Sequence, residues 1–218
     1  MNRIQSAKVQ ACVALQVRSA TQYFRQYRDV LASLPYKAIE QATEQLLRRY
    51  EQNRHIFLFG NGGSASLASH FACDLAKGTI VDGNGKKRFR ALALTDNLPL
   101  MTAWANDSSY DFVFAEQLRN FVAPMDVAFA ISGSGNSANI LRGLEVARDA
   151  GAFNIGLTGF EGGKMKSLCD VCIVIPSNNM QIIEDLHLSV AHALFSVIRQ
   201  RLFDDLHSKA LTASQAAD

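Results

Sequence analysis

Two segments rich in glycine and serine each follow directly after a short apolar run, and this pairing constrains the fold more than any other feature. Residues 60–64 (Gly-Asn-Gly-Gly-Ser) follow the run 56–59, and residues 132–137 (Ser-Gly-Ser-Gly-Asn-Ser) follow the run 127–131. Helical stretches separate these runs from three more of similar length, at 91–95, 154–158 and 171–175. Such alternation is typical of βα units whose parallel strands are covered on both faces by helices.

The pattern predicts an α/β fold with a doubly wound, five-stranded parallel sheet in the flavodoxin-like order 2-1-3-4-5. Two helices, one ending near Leu34 and one following Pro35, precede the first strand, and a long helix from about Met180 to Phe203 follows the last. We expect one domain over residues 1–207, including an N-terminal helical extension over 1–53, and a disordered tail over 208–218. Residues 79–90 are predicted to form a turn or exposed loop.

The composition is that of a soluble globular chain and excludes several classes of protein. The 218 residues carry 22 Lys and Arg against 20 Asp and Glu, a formal charge of +2 that argues against a nucleic-acid partner. No run reaches the roughly 18 apolar residues of a membrane span, and no secretion signal is visible. Four cysteines at irregular spacing do not make a disulfide framework, so we expect a cytoplasmic protein. The pair Cys169 and Cys172 is interpreted as packed thiols.

The two glycine-rich loops are candidates for binding a phosphate group. In the predicted strand order, strands 1 and 3 are neighbours whose connections leave in opposite directions, so their loops converge at the switch point. Glycine lets the backbone approach a ligand, while hydroxyls and helix N-terminal amides donate to an anion. The alternative is that each loop is a tight turn with a serine helix cap. No Gly-Lys-Ser/Thr tripeptide accompanies the loops, which argues against a nucleotide-hydrolysing P-loop, and the spacing Gly-Asn-Gly-Gly is not the dinucleotide fingerprint.

A second set of candidate residues is suited to acid–base catalysis or to binding a metal ion. His70 and Asp74 are four residues apart and share a helix face. Glu184 and His192 lie eight residues apart on the last helix, about 12 Å along its axis and about 80° around it, so long side chains could converge. Two imidazoles and two carboxylates can form a zinc-type site or an acid–base pair for a sugar phosphate. The alternative is that the two carboxylates form ordinary ion pairs at the surface and that the histidines cap helices or fill gaps in the packing. His187, about 140° from His192, is expected to serve another surface.

Several motifs occur together and in order along nearly the whole chain. They are Phe-Gly-Asn-Gly-Gly-Ser at 59–64, Ser-His-Phe-Ala at 69–72, Asn-Asp at 106–107, Ile-Ser-Gly-Ser-Gly-Asn-Ser at 131–137, Leu-Thr-Gly at 157–159 and Glu-Gly-Gly-Lys-Met at 161–165. In this combination the chain resembles the sugar isomerase (SIS) domain family, and within it the phosphoheptose isomerases. That resemblance implies conversion of sedoheptulose 7-phosphate to D-glycero-D-manno-heptose 7-phosphate, for the heptose of lipopolysaccharide or other surface glycans.

The resemblance also implies a site, a cofactor and an assembly. A zinc ion would be held by His70, Asp74, Glu184 and His192, and Asp74 and His192 would form the acid–base pair, with Glu184 as the alternative base. The protein would be a homotetramer with active sites between subunits. The residues implied to bind the sugar phosphate are Asn61, Gly62, Gly63, Ser64, Asp74, Asn106, Asp107, Ser132, Gly133, Ser134, Ser137 and Glu184.

Two departures from the family pattern leave other functions open. Asp74 stands where the isomerases have Glu, and Glu184 stands where they have Gln. The shorter side chain withdraws its carboxylate by about 1.5 Å, and a misplacement of about 1 Å can cost a hundredfold in rate. A non-catalytic SIS-fold adaptor that binds the bacterial replication initiator, or a sugar-phosphate sensor, is therefore an alternative. The presence of His70, His192 and two acids favours the enzyme.

Overall fold

The computed structural model describes residues 17–80 and 87–215, the last seven of them as backbone only. Within these ranges the helices are α1 (Ala20–Leu31), α2 (Tyr36–Glu51), α3 (Gly63–Cys73), α4 (Leu98–Asp107), α5 (Ala115–Phe121), α6 (Ala138–Asp149) and α7 (Met180–Gln215). The strands are β1 (His55–Gly60), β2 (Arg90–Ala93), β3 (Val127–Ser132), β4 (Phe153–Thr158) and β5 (Val171–Val174). A π-turn, Asp74–Gly78, continues α3, and Lys164–Leu168 forms a 3-10 turn. The middle of the predicted loop 79–90, residues 81–86, lies outside the described residues.

The five strands form one parallel sheet in the order β2-β1-β3-β4-β5, so the predicted doubly wound fold is confirmed. β1 pairs with β2 on one side and with β3 on the other, and the register sets Leu58 opposite Phe129 of β3. The switch point therefore lies between β1 and β3, where α3 and α6 begin.

Two apolar clusters cover the two faces of the sheet. Because side chains alternate along a strand, Leu58 of β1 joins the cluster under α2, α3 and α7, whereas Phe57 joins the cluster under α5 and α6. The edge strand β2 departs from the predicted burial on both faces: only Ala93 in it is buried, and Leu92 is 47% exposed. An edge strand has fewer neighbours to cover it, and the apolar run alone does not reveal this position.

The first and last helices of the described region pack on each other beside the sheet. The hydroxyl of Tyr23 in α1 donates to Asp185 of α7 at 2.5 Å, and Tyr27 lies 2.9 Å from the hydroxyl of Ser189. The last helix does not end near Phe203 as predicted. It continues to residue 215, so the described part of the expected tail is helical; Ala, Leu and Lys in that segment favour a helix. No helix in the described part of the chain has both the length and the hydropathy to cross a bilayer.

Candidate active site

The loops after β1 and β3 meet at the carboxyl edge of the sheet, as predicted. Asn61 in the first loop and Asn139 at the start of α6 exchange two amide hydrogen bonds, of 2.9 and 2.8 Å. The hydroxyl of Tyr110 donates to the side-chain oxygen of Asn61 at 3.0 Å. The three side chains therefore tie the first loop to the helix that the second loop opens. Sequence reasoning missed Asn139 and Tyr110, because their role depends on a contact between distant segments.

Each loop contains a glycine that its backbone requires. Gly62, at the start of α3, has a φ of +58°, and Gly135 in the second loop has a φ of +62°. A Cβ on Gly135 would also lie 2.2 Å from the carbonyl oxygen of Gly162. Residues with side chains rarely adopt this backbone conformation, and at Gly135 they would also clash.

Serine hydroxyls from both loops line a small cavity of about 160 Å³ between them. Ser137 stands at the N-cap of α6 but makes no capping hydrogen bond, and the N-cap of α3 is Gly62, so the serine-cap alternative fails at both helices. Met180, which sequence reasoning missed, lies against Gly133 in the wall. The lining residues are Asn61, Ser64, Ile131, Ser132, Gly133, Ser134, Ser137, Met180 and Glu184.

A larger cavity of about 390 Å³ adjoins the first. Ser64 and Glu184 line both cavities, so a ligand held by the serine loops can extend into the larger space. The other residues of its wall come from α3 and α7. They are Gly63, Ser66, Leu67, His70, Asp185, His187, Leu188 and His192.

A cluster of three ionisable side chains lies beside the larger cavity. The Nε2 atoms of His70 and His192 are 2.9 Å apart, and Asp74 Oδ2 lies 3.4 Å from the first and 4.0 Å from the second. Asp74 begins the π-turn, a distortion that often occurs at functional sites. Its Oδ2 atom is buried without a hydrogen-bond partner, while both imidazoles are about half exposed. The three atoms form a group that can hold a metal ion.

Three further residues of the predicted site lie outside this group. Glu184 does not belong to the three-residue group; its carboxylate faces Gly63, with Oε2 3.6 Å from the position of a Cβ there. It thus sits at the positive end of the α3 dipole. Asn106 and Asp107 are exposed at the end of α4, bond to each other at 2.8 Å, and line neither cavity. Their contact with a sugar stays a prediction.

The prediction that His187 serves another surface than His192 is wrong, because both residues border the larger cavity. His187 is 1% exposed. Burial lowers the pKa of His187 to about 4, and the backbone of Thr158 compensates only in part. The imidazole is therefore neutral at physiological pH.

Comparison with known proteins assigns the chain to a family. A SIS domain model matches residues 22–159. The phosphoheptose isomerase of Trichlorobacter lovleyi is 33% identical over 195 residues, which make up 89% of this chain and 96% of that relative. The chain belongs to the phosphoheptose isomerase family of SIS-domain proteins. Two solved structures of phosphoheptose isomerases agree with this assignment.

The structure from Francisella tularensis has a TM-score of 0.76 at 29% identity and covers 83% of this chain and 96% of its own. The structure from Neisseria gonorrhoeae has a TM-score of 0.72 at 30% identity and covers 88% of this chain and 99% of its own. Nearly the full length of each phosphoheptose isomerase is thus matched.

Proposed function

We propose that this protein converts sedoheptulose 7-phosphate to D-glycero-D-manno-heptose 7-phosphate, as an aldose–ketose isomerase. The observation that carries the proposal is the wall shared by the two cavities, formed by Ser64 and Glu184. A sugar phosphate anchored between the serine loops would reach the group of His70, Asp74 and His192 with its other end. The names of the relatives support the choice of substrate.

The phosphate would be bound by the two loops without a basic patch. The hydroxyls of Ser64, Ser132, Ser134 and Ser137 line the smaller cavity, and α3 and α6 both begin beside it. Hydrogen bonds to a charged group contribute about 1.5–3 kcal/mol each, and helix N-termini favour an anion. Binding at this remote end fixes the reacting carbons against the acid–base residues.

The isomerisation moves a proton between two neighbouring carbons through an enediol. Asp74 would take the proton from the carbon next to the carbonyl, because its carboxylate lies with the two imidazoles beside the larger cavity. His192 would exchange protons with the sugar oxygens. Each such group contributes typically 10²- to 10⁴-fold to the rate. Glu184 is the alternative base, since it borders both cavities.

His70, Asp74 and His192 would also hold a zinc ion. Tetrahedral zinc with bonds of about 2.05 Å places its ligand atoms ~3.3 Å apart, and the separations of 2.9, 3.4 and 4.0 Å bracket this value. A cation would also provide the missing partner for Asp74 Oδ2. When bound, zinc would polarise the substrate carbonyl.

We further propose a cytoplasmic homotetramer with active sites between subunits, whose product supplies heptose for lipopolysaccharide or another surface glycan. Exposed apolar side chains support the assembly. Phe24 of α1 is 65% exposed, and Leu188, which borders the larger cavity, is 41% exposed. A second subunit packed over α1 and α7 would cover both side chains.

The direct test is to incubate the purified protein with sedoheptulose 7-phosphate, after chelation and after zinc is restored. We expect aldose 7-phosphate in chromatography with mass detection, and a loss of turnover of at least a hundredfold in His192→Ala with the oligomer unchanged. If no aldose forms under either condition, the isomerase proposal fails. In that case, tight binding of the sugar phosphate would indicate a sensor. Absence of sugar-phosphate binding would indicate an adaptor.

A further inference from the structure

A Cys-x-x-Cys pair lies apart from the two cavities, near the edge of the sheet formed by β5. Cys169 follows the 3-10 turn Lys164–Leu168, and Cys172 lies in β5, in register with Gly156 of β4. Both residues are free thiols and are partly exposed. One thiol is therefore fixed in the sheet, and the other lies on the segment that leads into it.

The two sulfur atoms converge over a residue that has no side chain. A Cβ on Gly156 would lie 2.6 Å from Cys169 Sγ and 3.4 Å from Cys172 Sγ. Both thiols therefore occupy the space that a side chain at position 156 would fill. Any larger residue there would displace Cys169.

The surroundings make the two thiols chemically unequal. A hydrogen bond from Cys169 and the nearby charge of Lys166 lower the pKa of Cys172, against the opposing effect of burial. The same hydrogen bond, together with burial, raises the pKa of Cys169. Because the thiolate is the nucleophile, Cys172 would react first and Cys169 would be the resolving thiol.

We propose that Cys169 and Cys172 form a site of reversible disulfide formation, with a low-molecular-weight disulfide as the oxidant. The thiolate of Cys172 attacks one sulfur of the oxidant, forms a mixed disulfide and releases the other sulfur as a thiolate. Cys169 loses its proton to that thiolate and attacks the sulfur of Cys172, which releases the second small thiolate. The pair of protein thiols loses two electrons and two protons, and the oxidant becomes two thiols.

Closing the bond would move the 3-10 turn. A disulfide bond of about 2.05 Å is shorter than any hydrogen-bonded separation of two thiols, and Cys172 is held by the ladder between β4 and β5. Cys169 must therefore shift, and with it the turn. The backbone N–H of Met165 donates to the carbonyl of Gly135 at 2.9 Å, and that of Lys164 donates to Asn136 Oδ1 at 3.0 Å. Oxidation would thus disturb the second phosphate loop, a consequence that rests on the proposed function.

The thiol chemistry can be tested in the full-length chain carrying Cys12→Ser and Cys73→Ser, so that only the pair remains. The protein is incubated with oxidised glutathione, quenched in acid, alkylated with a maleimide and measured as intact mass. We expect both thiols to become protected together, with no glutathione retained and with full reversal by dithiothreitol. Two alkylated thiols, or a lasting glutathione adduct, would overturn the proposal.

Single variants test which thiol reacts first. Cys169→Ser should keep glutathione as a stable adduct on Cys172, whereas Cys172→Ser should react about tenfold more slowly. Lys166 is exposed, so Lys166→Gln should fold normally and slow the first step, with Lys166→Arg as the matched control. Equal rates in the two cysteine variants would contradict the assignment of Cys172 as the nucleophile.

A separate measurement, which does not depend on catalysis, tests whether the disulfide affects the second phosphate loop. Calorimetric titration of sedoheptulose 7-phosphate into the reduced and oxidised forms should show affinity at least threefold weaker after oxidation. Unchanged affinity, with the disulfide formed, would overturn the link to the loop. Absence of binding in both forms would contradict the proposed function instead, and the thiol measurements would stand.

Discussion

Asp74 and Glu184, the two carboxylates of the predicted acid–base set, lie in different parts of the site. Asp74 lies with the two histidines, whereas Glu184 lies in the wall of the phosphate cavity near the start of α3. Their spacing from the histidines could not be read from the sequence. Positions eight residues apart on one helix are about 12 Å apart along its axis, and only the packing of α3 on α7 decides which of them reaches His70.

This separation predicts that two isosteric substitutions change different kinetic constants. Asp74→Asn should lower kcat by 10²- to 10⁴-fold, because it removes the proposed base. Glu184→Gln should leave kcat within tenfold and lower KM roughly fivefold, because it removes a like charge, worth about 1 kcal/mol, from the phosphate cavity. Steady-state kinetics with sedoheptulose 7-phosphate measures both. The reverse pattern would make Glu184 the base.

His187 predicts how the free energy of unfolding depends on pH. In the folded protein the pKa of His187 is about 4, against an ordinary value of 6.5. Between these two pH values the unfolded chain binds a proton on this imidazole and the folded protein does not. Stability is therefore fully present above pH 6.5 and is lost as the pH falls towards 4, by about 3 kcal/mol. In urea titrations between pH 7.5 and 4.5, His187→Leu should show a correspondingly flatter dependence. An equally steep loss in the variant would contradict this origin.

At the scale of elements, the strands and their order could be predicted because buried parallel strands are short, apolar and regularly spaced. The ends of the helices and strands, and the exposure of their side chains, could not be predicted. Strand β2 shares its apolar character with the others, but its edge position leaves Leu92 exposed. The extent of α7 was underestimated, since small residues near the end of a chain suit a helix as well as a disordered tail. The meeting of the two loops could be predicted, whereas the asparagine pair that joins them could not.

The bond between Asn61 and Asn139 predicts an effect on binding rather than on chemistry. Asn139→Leu keeps the volume but removes both amide bonds, so the loops would lose their fixed separation. We expect KM for the sugar phosphate to rise about tenfold with kcat within threefold. Tyr110→Phe is the control, because it removes one exposed hydrogen bond to Asn61 and should raise KM less than threefold. A large fall in kcat at unchanged KM would exclude this positioning role.

At the scale of the whole molecule, α1 carries an exposed apolar surface that supports the proposed assembly. None of its side chains is fully buried, although Tyr23 and Tyr27 bind α7. Its Phe24 is among the most exposed large apolar side chains of the described region. A helix with such a surface gains stability when a second copy covers it.

The proposed assembly is tested by placing a charge on this surface. Phe24→Asp should shift the protein to smaller species in size-exclusion chromatography with light scattering, because a buried unpaired carboxylate opposes association. The catalytic efficiency should fall together with the assembly, since the sites are proposed to lie between subunits. Phe121→Asp on α5, which is 53% exposed, is the matched control and should leave the size unchanged. Full activity in dissociated Phe24→Asp would contradict the shared site.

The two histidines of the cluster, His70 and His192, are separated by 122 positions in the chain and lie on α3 and α7. Contacts between such distant segments close late, because the loop between them must first lose its conformational entropy. The imidazole pair therefore forms only when α7 has docked beside α3. If the proposed metal binds there, we expect its uptake by the refolding chain to lag behind the recovery of helical structure and to report the docking of α7 beside α3.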